Sequence, residues 1–239
     1  MSLFEERLAD LPLHIDGYGL EGLSRDVSSA FTRASTVIRM HGGGEKGLGE
    51  DVTYDAEDHE ILQAAGPVLP LAGEWTLGSF CDHVEALDLW PSPPQREPSR
   101  LYRVWAYEST ALDLALRQAG TSLHAALERE PRPVRFVVSL RLGEPPTLDP
   151  VTRRLERYPS LRFKLDPTSE WTTELIAELV ATGAVDSVDF KGLYVGSIVD
   201  QPAVPVLYQR VVEAFPDAWI EDPKLTGETD AILLPHRDR

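Results

Sequence analysis

The stretch LRFKLDP (residues 161–167) decides how the second half of this sequence folds. Two later stretches share its design, SVDFKG (187–192) and AWIEDP (218–223). Each is a short apolar run that ends in charged residues and then a proline or a glycine. Such runs are typical of parallel strands, whose middle is buried and whose carboxyl end carries polar side chains. Because ligands bind at the carboxyl ends of such strands, we expect the charged residues of the three stretches to converge.

The pattern around these stretches predicts a series of βα units. Strands are predicted at residues 135–143, 161–166, 187–191 and 218–222, and helices at about 150–157, 170–184, 204–215 and 227–234. Strands that alternate with helices indicate right-handed βαβ units and a parallel sheet. Residues 134–239 are therefore interpreted as one domain of four βα units.

Residues 1–133 are interpreted as an α+β domain with its strands first and its helices after. A strand followed by a mobile loop around Gly17, Tyr18 and Gly19 is predicted within residues 11–23, and a second strand at 33–40. Helices are predicted at 56–65, 75–89, 100–119 and 121–128. Asp55 is predicted to cap the first of these helices.

Composition limits the partners and the compartment. The 239 residues are 42% hydrophobic and 26% charged, which is typical of a folded soluble protein. The net charge of −16 argues against nucleic acid or an anionic membrane as the main partner. One cysteine, Cys81, allows no disulfide within the chain. With no basic, apolar leader and no run of about 20 apolar residues, a cytoplasmic protein is expected.

The glycine-rich segment GGGEKG (residues 42–47) has two readings. It matches the spacing of a dinucleotide-binding loop, but that loop requires a helix to begin at the glycines. Here the glycines continue into the strand-like run GEDVTY (49–54). A β-hairpin turn explains them with fewer assumptions.

The charged strand ends offer a candidate site. Asp189 and Glu221, on neighbouring strands, would share a divalent metal such as Mg²⁺, because carboxylate oxygens suit it. Lys164 faces the same side as Asp166, and Lys191 the same side as Asp189. An ammonium buried beside carboxylates can act as a base or as an electrophile. The plainer alternatives, helix caps and structural lysine–carboxylate ion pairs, remain open on these residues alone.

The sequence resembles the enolase superfamily, in its mandelate racemase and muconate-lactonising branch. The resemblance lies in five segments: TVIRMHGGGEKGLGED (36–51), AYESTALDLALRQAGTSLHAAL (106–127), FKLD (163–166), VDF (188–190) and WIEDP (219–223). It implies an α/β fold in which an N-terminal α+β capping domain is followed by the first four βα units of a TIM-type barrel.

The resemblance also implies an activity. A small carboxylate substrate would lose its α-proton in a racemase, cycloisomerase or dehydratase reaction, with Mg²⁺ on Asp189 and Glu221 stabilising the enediolate. Lys164, helped or replaced by Lys191, would supply a cation or the base. The loops near Tyr18 and Tyr54 would close over the substrate.

Two departures from the family pattern matter. Asp166 stands where the family has the second lysine of its K-x-K motif, so Lys164, Lys191 and Asp166 are all candidates for the base. The sequence also ends after the fourth βα unit. We expect a fragment of a longer enzyme, with a half-barrel that forms a homo-oligomer as the alternative. A metal-binding but catalytically altered relative is the second functional hypothesis. The third is a non-enzymatic fragment whose half-barrel associates with another chain.

Overall fold

A computed structural model describes residues 3–26, 32–192 and 202–239 of the chain. The chain divides into two units, Met1–Arg132 and Pro133–Arg239, and each contains its own hydrophobic core. Among the helices formed by the described residues, none has the length and apolarity that a membrane span requires.

The first unit contains two antiparallel sheets. Its strands are β1 (Pro12–Ile15), β2 (Gly17–Asp26), β3 (Thr32–Gly42), β4 (Glu45–Asp51) and β5 (Gly73–Thr76). One sheet has the order β2-β3-β4, and the other pairs β1 with β5. Ile38 and Met40, two residues apart on β3, are both fully buried in the core of the unit. The predicted strand at 33–40 is thereby confirmed and is longer than expected.

The glycine-rich segment is the turn of the β3–β4 hairpin. Gly42 pairs with Glu45, and the two residues between them, Gly43 and Gly44, have φ of +58° and +84°. Positive φ at both central residues is the requirement of the tight turn that matches the twist of a hairpin. The hairpin prediction is confirmed, and no helix begins at these glycines.

The mobile loop predicted around Gly17, Tyr18 and Gly19 is wrong, because these residues begin strand β2. Tyr18 pairs with Met40 of β3, and its hydroxyl accepts a hydrogen bond of 2.9 Å from the backbone N–H of Leu69. Its ring packs edge-on against Tyr107, with centroids 6.0 Å apart. The glycines favour a flexible loop, but pairing along the neighbouring strand β3 holds them in an extended conformation.

The described residues of the first unit also form five helices. They are α1 (Leu3–Arg7), α2 (Ala56–Ala65), α3 (Leu77–Ala86), α4 (Ser99–Gln118) and α5 (Leu123–Ala126). Asp55 occupies the cap position of α2, but its side chain makes no capping hydrogen bond and instead pairs with Arg96 at 2.9 Å. The helix predicted from residue 75 begins at Leu77, because Trp75 and Thr76 pair with β1.

The second unit is a four-stranded parallel sheet with helices between its strands. The strands are β6 (Val138–Leu140), β7 (Phe163–Leu165), β8 (Val185–Asp189) and β9 (Trp219–Glu221). The helices are α6 (Asp149–Arg157), α7 (Thr173–Thr182), α8 (Pro205–Ala214) and α9 (Gly227–Leu233). The strands lie in sequence order. Four βα units are thereby confirmed, half the number in a complete β/α barrel.

Local sequence signals set the helix ends of this unit. The Thr172 hydroxyl accepts a hydrogen bond from the N–H of Leu175 at the start of α7, and Gly183 ends that helix with φ of +61°. Pro205 stands in the first turn of α8, where its missing N–H costs nothing. Thr226 and Thr229 form a reciprocal capping box at the start of α9.

The strands of the second unit alternate between two faces. Phe163, Leu165 and Val188 are buried in the core that the helices cover. Lys164 lies between the first two, so it projects from the opposite face of the sheet, as do Asp189 and Glu221 at the ends of their strands. Lys164, Asp189 and Glu221 therefore share the face away from the helices.

The strand predicted at 135–143 is shorter than expected. Only Val138–Leu140 forms β6, because pairing begins where β7 begins, at Val138 opposite Phe163. Phe136 precedes the strand and is 83% exposed. Apolar, β-branched composition extended the prediction beyond the length that the neighbouring strand supports.

Candidate metal and catalytic site

The carboxyl ends of β7, β8 and β9 bring the predicted site residues together. Asp189 and Glu221 are the last residues of their strands and lie opposite each other in the parallel register. Lys164 is the middle residue of β7, and Asp166 follows that strand directly. Short strands in register therefore place all four residues at one end of the sheet.

Lys164 joins the two carboxylates. Its Nζ donates a hydrogen bond to Glu221 Oε1 at 2.7 Å and lies 3.0 Å from Asp189 Oδ2. The Lys191 ammonium pairs with the same oxygen of Asp189, and the backbone N–H of Lys191 donates to Asp189 Oδ1 at 3.1 Å. Asp189 is fully buried, whereas the Glu221 side chain is 42% exposed. One buried carboxylate thus accepts from two ammonium groups.

The ionisation of these groups follows from that arrangement. Burial opposes the charged form of Asp189, but the hydrogen bonds from Lys191 and Lys164 outweigh it and hold the pKa of the carboxyl below its ordinary value. Burial likewise opposes the charge of Lys164, but its bonds to Glu221 and Asp189 raise the pKa of the ammonium. The pKa of Lys191 is raised in the same way, chiefly through Asp189. Both lysines are therefore cations near neutral pH.

Asp166 has a different environment. Its side chain is nearly buried, and burial raises the pKa of the carboxyl above its ordinary value, although the charge of Lys191 opposes this. Asp166 Oδ2 accepts a hydrogen bond of 3.2 Å from Nε of Arg141. Asp166 Oδ1 is buried and has no hydrogen-bond partner among the described residues.

Three carboxylates form a candidate metal-binding group. One oxygen each of Asp189, Glu221 and Asp222 lie within 4.8 Å of one another. Carboxylate oxygens suit Mg²⁺, which is bound through one or two carboxylates and retains water in its remaining positions. The donor set fits that ion in kind, and the ammonium groups of Lys164 and Lys191 compete for the oxygens of Asp189 and Glu221.

Asp222 and Arg141 also belong to the site. Asp222 is one of the charged strand-end residues expected to converge there, although it is not a predicted metal ligand, whereas no role is predicted for Arg141. Consecutive residues of a strand point to opposite faces, so Asp222 would be expected to face away from Glu221. Its φ of +46° turns the chain out of the extended conformation and returns its carboxylate to the same side. Two features of the sequence point to these residues. Pro223 directly follows Asp222, and Arg141 is a charged residue near the end of the first predicted strand of the second unit.

The family models cover both units. Residues 6–126 match the model described as the N-terminal domain of DUF8230, a domain of unknown function, and residues 130–239 match its C-terminal domain. The chain belongs to this family. No curated protein matches the sequence.

Solved structures share the fold at low sequence identity. An L-Ala-D/L-Glu epimerase superposes with a TM-score of 0.60 at 17% identity, over 92% of this chain and 65% of its own. A predicted mandelate racemase from Rhodobacter sphaeroides gives 0.61 at 17%, over 90% and 59%. An unknown member of the enolase superfamily from Enterococcus faecalis V583 gives 0.52 at 15%, over 89% and 59%.

These similarities confirm that this chain shares the fold of enolase-superfamily proteins, in which an N-terminal α+β domain is followed by a β/α barrel that is partial here. This chain spans 59–65% of the length of these three proteins.

Proposed function

We propose that this chain carries an enolase-type site that removes the α-proton of a small carboxylate substrate, in a racemase or epimerase, cycloisomerase or dehydratase reaction. One observation carries the proposal. Asp189 and Glu221 face each other at the ends of adjacent parallel strands, and the Nζ atom of Lys164 lies 3.0 and 2.7 Å from their oxygens. Concentrated charge of this kind at a strand end is what the chemistry of a weakly acidic α-proton requires.

Asp189 and Glu221 would hold the metal, with Asp222 as the third carboxylate. Mg²⁺, when bound, would supply positive charge at the substrate carboxylate and so make the α-proton more acidic. Asp189 is buried and fixed by hydrogen bonds, so it anchors the donor set. Glu221 and Asp222 are more exposed and can adjust to an incoming ligand. The single cysteine fits a reducing, cytoplasmic setting for this chemistry.

The lysines supply charge, and Asp166 is the proton acceptor. In this arrangement both lysines have raised pKa values, so they hold their protons and stabilise negative charge on the substrate. Asp166 has a raised pKa, which makes its carboxylate a stronger base, and its buried Oδ1 has no partner among the described residues. Asp166 also occupies the position at which the enolase superfamily has the second lysine of its K-x-K motif.

Solvent deuterium exchange tests the proposal. The protein is incubated in D₂O with Mg²⁺ and a panel of 2-hydroxy acids, N-acyl amino acids and dipeptides, and α-deuterium is measured by NMR. Asp166→Asn should lower the exchange rate by about 10²–10⁴-fold, because it removes the base and keeps an oxygen for Arg141. Asp230→Asn, at an exposed position of α9, should exchange as the wild type does. Exchange that survives in Asp166→Asn would exclude Asp166 as the base.

The second candidate is a metal-binding relative without this catalysis. It is favoured by one observation: the ammonium groups of Lys164 and Lys191 both pair with Asp189. Neither lysine is then deprotonated, as a lysine base of the enolase superfamily must be. Mg²⁺ binding that depends on Asp189 and Glu221, measured by equilibrium dialysis, together with no exchange into any acid of the panel, would establish this candidate instead.

A further inference from the structure

The four-stranded sheet of the second unit ends in β6 on one side and in β9 on the other. Among the described residues, β6 pairs only with β7, and β9 pairs only with β8. An open edge presents unpaired N–H and C=O groups and is a template for another strand. Since these strands follow one another in parallel order, each edge offers a parallel partner the same geometry that the strands inside the sheet already use.

Among the described residues of the second unit, no helix or strand packs on the face of the sheet away from the helices. A cavity of about 450 Å³ lies on it, and its lining includes Lys164, Ser187, Trp219 and Glu221. Trp219 is 66% exposed. In a closed β/α barrel, side chains from eight strands fill the corresponding interior. The described part of the second unit supplies four of these strands.

The two edges are complementary in charge. The β6 edge carries Arg135 before the strand and Arg141 after it, whereas the β9 edge carries Asp217 before the strand and Glu221 at its end. Parallel pairing of β9 with a second β6 would place opposite charges at both ends of the new pair.

The two edges are also complementary in shape. Phe136, next to β6, is 83% exposed. A groove of about 470 Å³ runs between β9 and α9, and its apolar lining includes Ile220, Leu225, Leu233 and Leu234. An aromatic side chain that projects beside one edge therefore has an apolar groove available beside the other.

We propose that two copies of this chain close a single eight-stranded barrel through their second units. A two-fold axis along the barrel pairs β9 of each copy with β6 of the other, so one interface type occurs twice and all eight strands are parallel. Four strands from each copy supply the number that a closed barrel of this type contains. Closure also brings Arg141 of the second copy to the strand end at which Glu221 and Asp222 lie. This inference does not depend on the proposed catalytic activity.

A proline at the free edge of β6 tests the proposal. The N–H of Val138 donates to the Arg162 carbonyl at the start of β7, so the N–H of the next residue, Ser139, points away from β7 to the free edge. Ser139→Pro removes that donor without removing a bond to β7. Ser139→Ala keeps the donor and is the matched control.

Light scattering after size exclusion gives the readout. The wild type and Ser139→Ala should have twice the chain mass of 26.5 kDa at micromolar concentration, and Ser139→Pro should have the mass of one chain. Far-UV circular dichroism shows whether Ser139→Pro remains folded. A wild type that is monomeric up to about 100 μM overturns the proposal, since a typical stable interface would be occupied there.

Charge-reversal variants test the proposed pairing of β6 with β9 even if the proline variant does not fold. Arg135→Glu and Asp217→Arg each place like charges at one end of the new strand pair, so each should raise the dimer dissociation constant by about tenfold or more. The double variant restores opposite charges and should recover the wild-type constant. A dimer that none of these changes affects uses another surface and also overturns the proposal.

Discussion

Lys164→Met should tighten Mg²⁺ binding while it abolishes α-proton exchange. The Lys164 ammonium donates to Glu221 at 2.7 Å and lies 3.0 Å from an oxygen of Asp189, so it competes with the metal for these carboxylates. Methionine fills a similar space without a charge. The substitution therefore removes the competitor for the metal and, in the same step, the cation that stabilises the substrate anion.

The size of the effect follows from the two contacts. A hydrogen bond between charged groups contributes about 1.5–3 kcal/mol, and this scale applies to the contact with Asp189, which is fully buried. The contact with Glu221 contributes about 1 kcal/mol or less, because that side chain is 42% exposed and screened by water. Metal binding to the wild type must displace both contacts. Without them we expect a gain of about 2–3 kcal/mol, a fall in Kd of about 30- to 150-fold.

Titration calorimetry with MgCl₂ measures this change directly. Lys46→Met, at an exposed position of β4, is the matched control and should bind as the wild type does. Thermal unfolding provides a second readout, since Mg²⁺ should raise the Tm of Lys164→Met more than that of the wild type. If Lys164→Met binds Mg²⁺ no more tightly than the wild type, Asp189 and Glu221 are not the metal ligands.

Two further predictions concern the first unit. Arg103→Met should lower the free energy of unfolding by about 3–5 kcal/mol in urea titrations, because it leaves Asp51 buried without the partner that now lies 2.8 Å away. Gly49→Ala should lower it by about 1–3 kcal/mol, since a Cβ there would lie 2.6 Å from the carbonyl oxygen of Ala106 on α4. Gly19→Ala, where a Cβ meets nothing within 4 Å, is its control and should cost less than about 1 kcal/mol. Asp51 and Gly49 lie on β4, so unchanged unfolding curves for the first two variants would contradict the packing of α4 against β4.

The fold was predictable where each signal was local and repeated. The alternation in LRFKLDP (161–167) sets which side chains of β7 face the helices, and the neighbouring stretches repeat it. The hairpin at Gly43 and Gly44 was predictable because only one turn type needs two adjacent residues with positive φ. The strand conformation of Tyr18 was not predictable, because it depends on pairing with Met40 of β3 and on a hydrogen bond from Leu69, and both residues are distant in the sequence.

The candidate site was predictable in its members more than in its contacts. Strand ends of the same design had to meet at one edge of a parallel sheet, and the structure brings Lys164, Asp189, Lys191 and Glu221 together there. Their catalytic and metal-binding roles stay predictions. The carboxylate of Asp222 joins them through a backbone dihedral of +46°, which no side-chain pattern encodes.

The alternation of the strands also explains why this sheet should close rather than be covered. A layer of helices over the second face, as in an open α/β sheet, would bury Lys164 and Glu221 away from water, and buried ion pairs recover their desolvation cost poorly. In the proposed barrel, opposing strands would cover Trp219, which is 66% exposed, while the Nζ of Lys164 still reaches Asp189 and Glu221 at the carboxyl ends of the strands. The residues that make the site possible therefore favour a partner made of strands, and the edge that such a partner must meet is β9, next to Glu221.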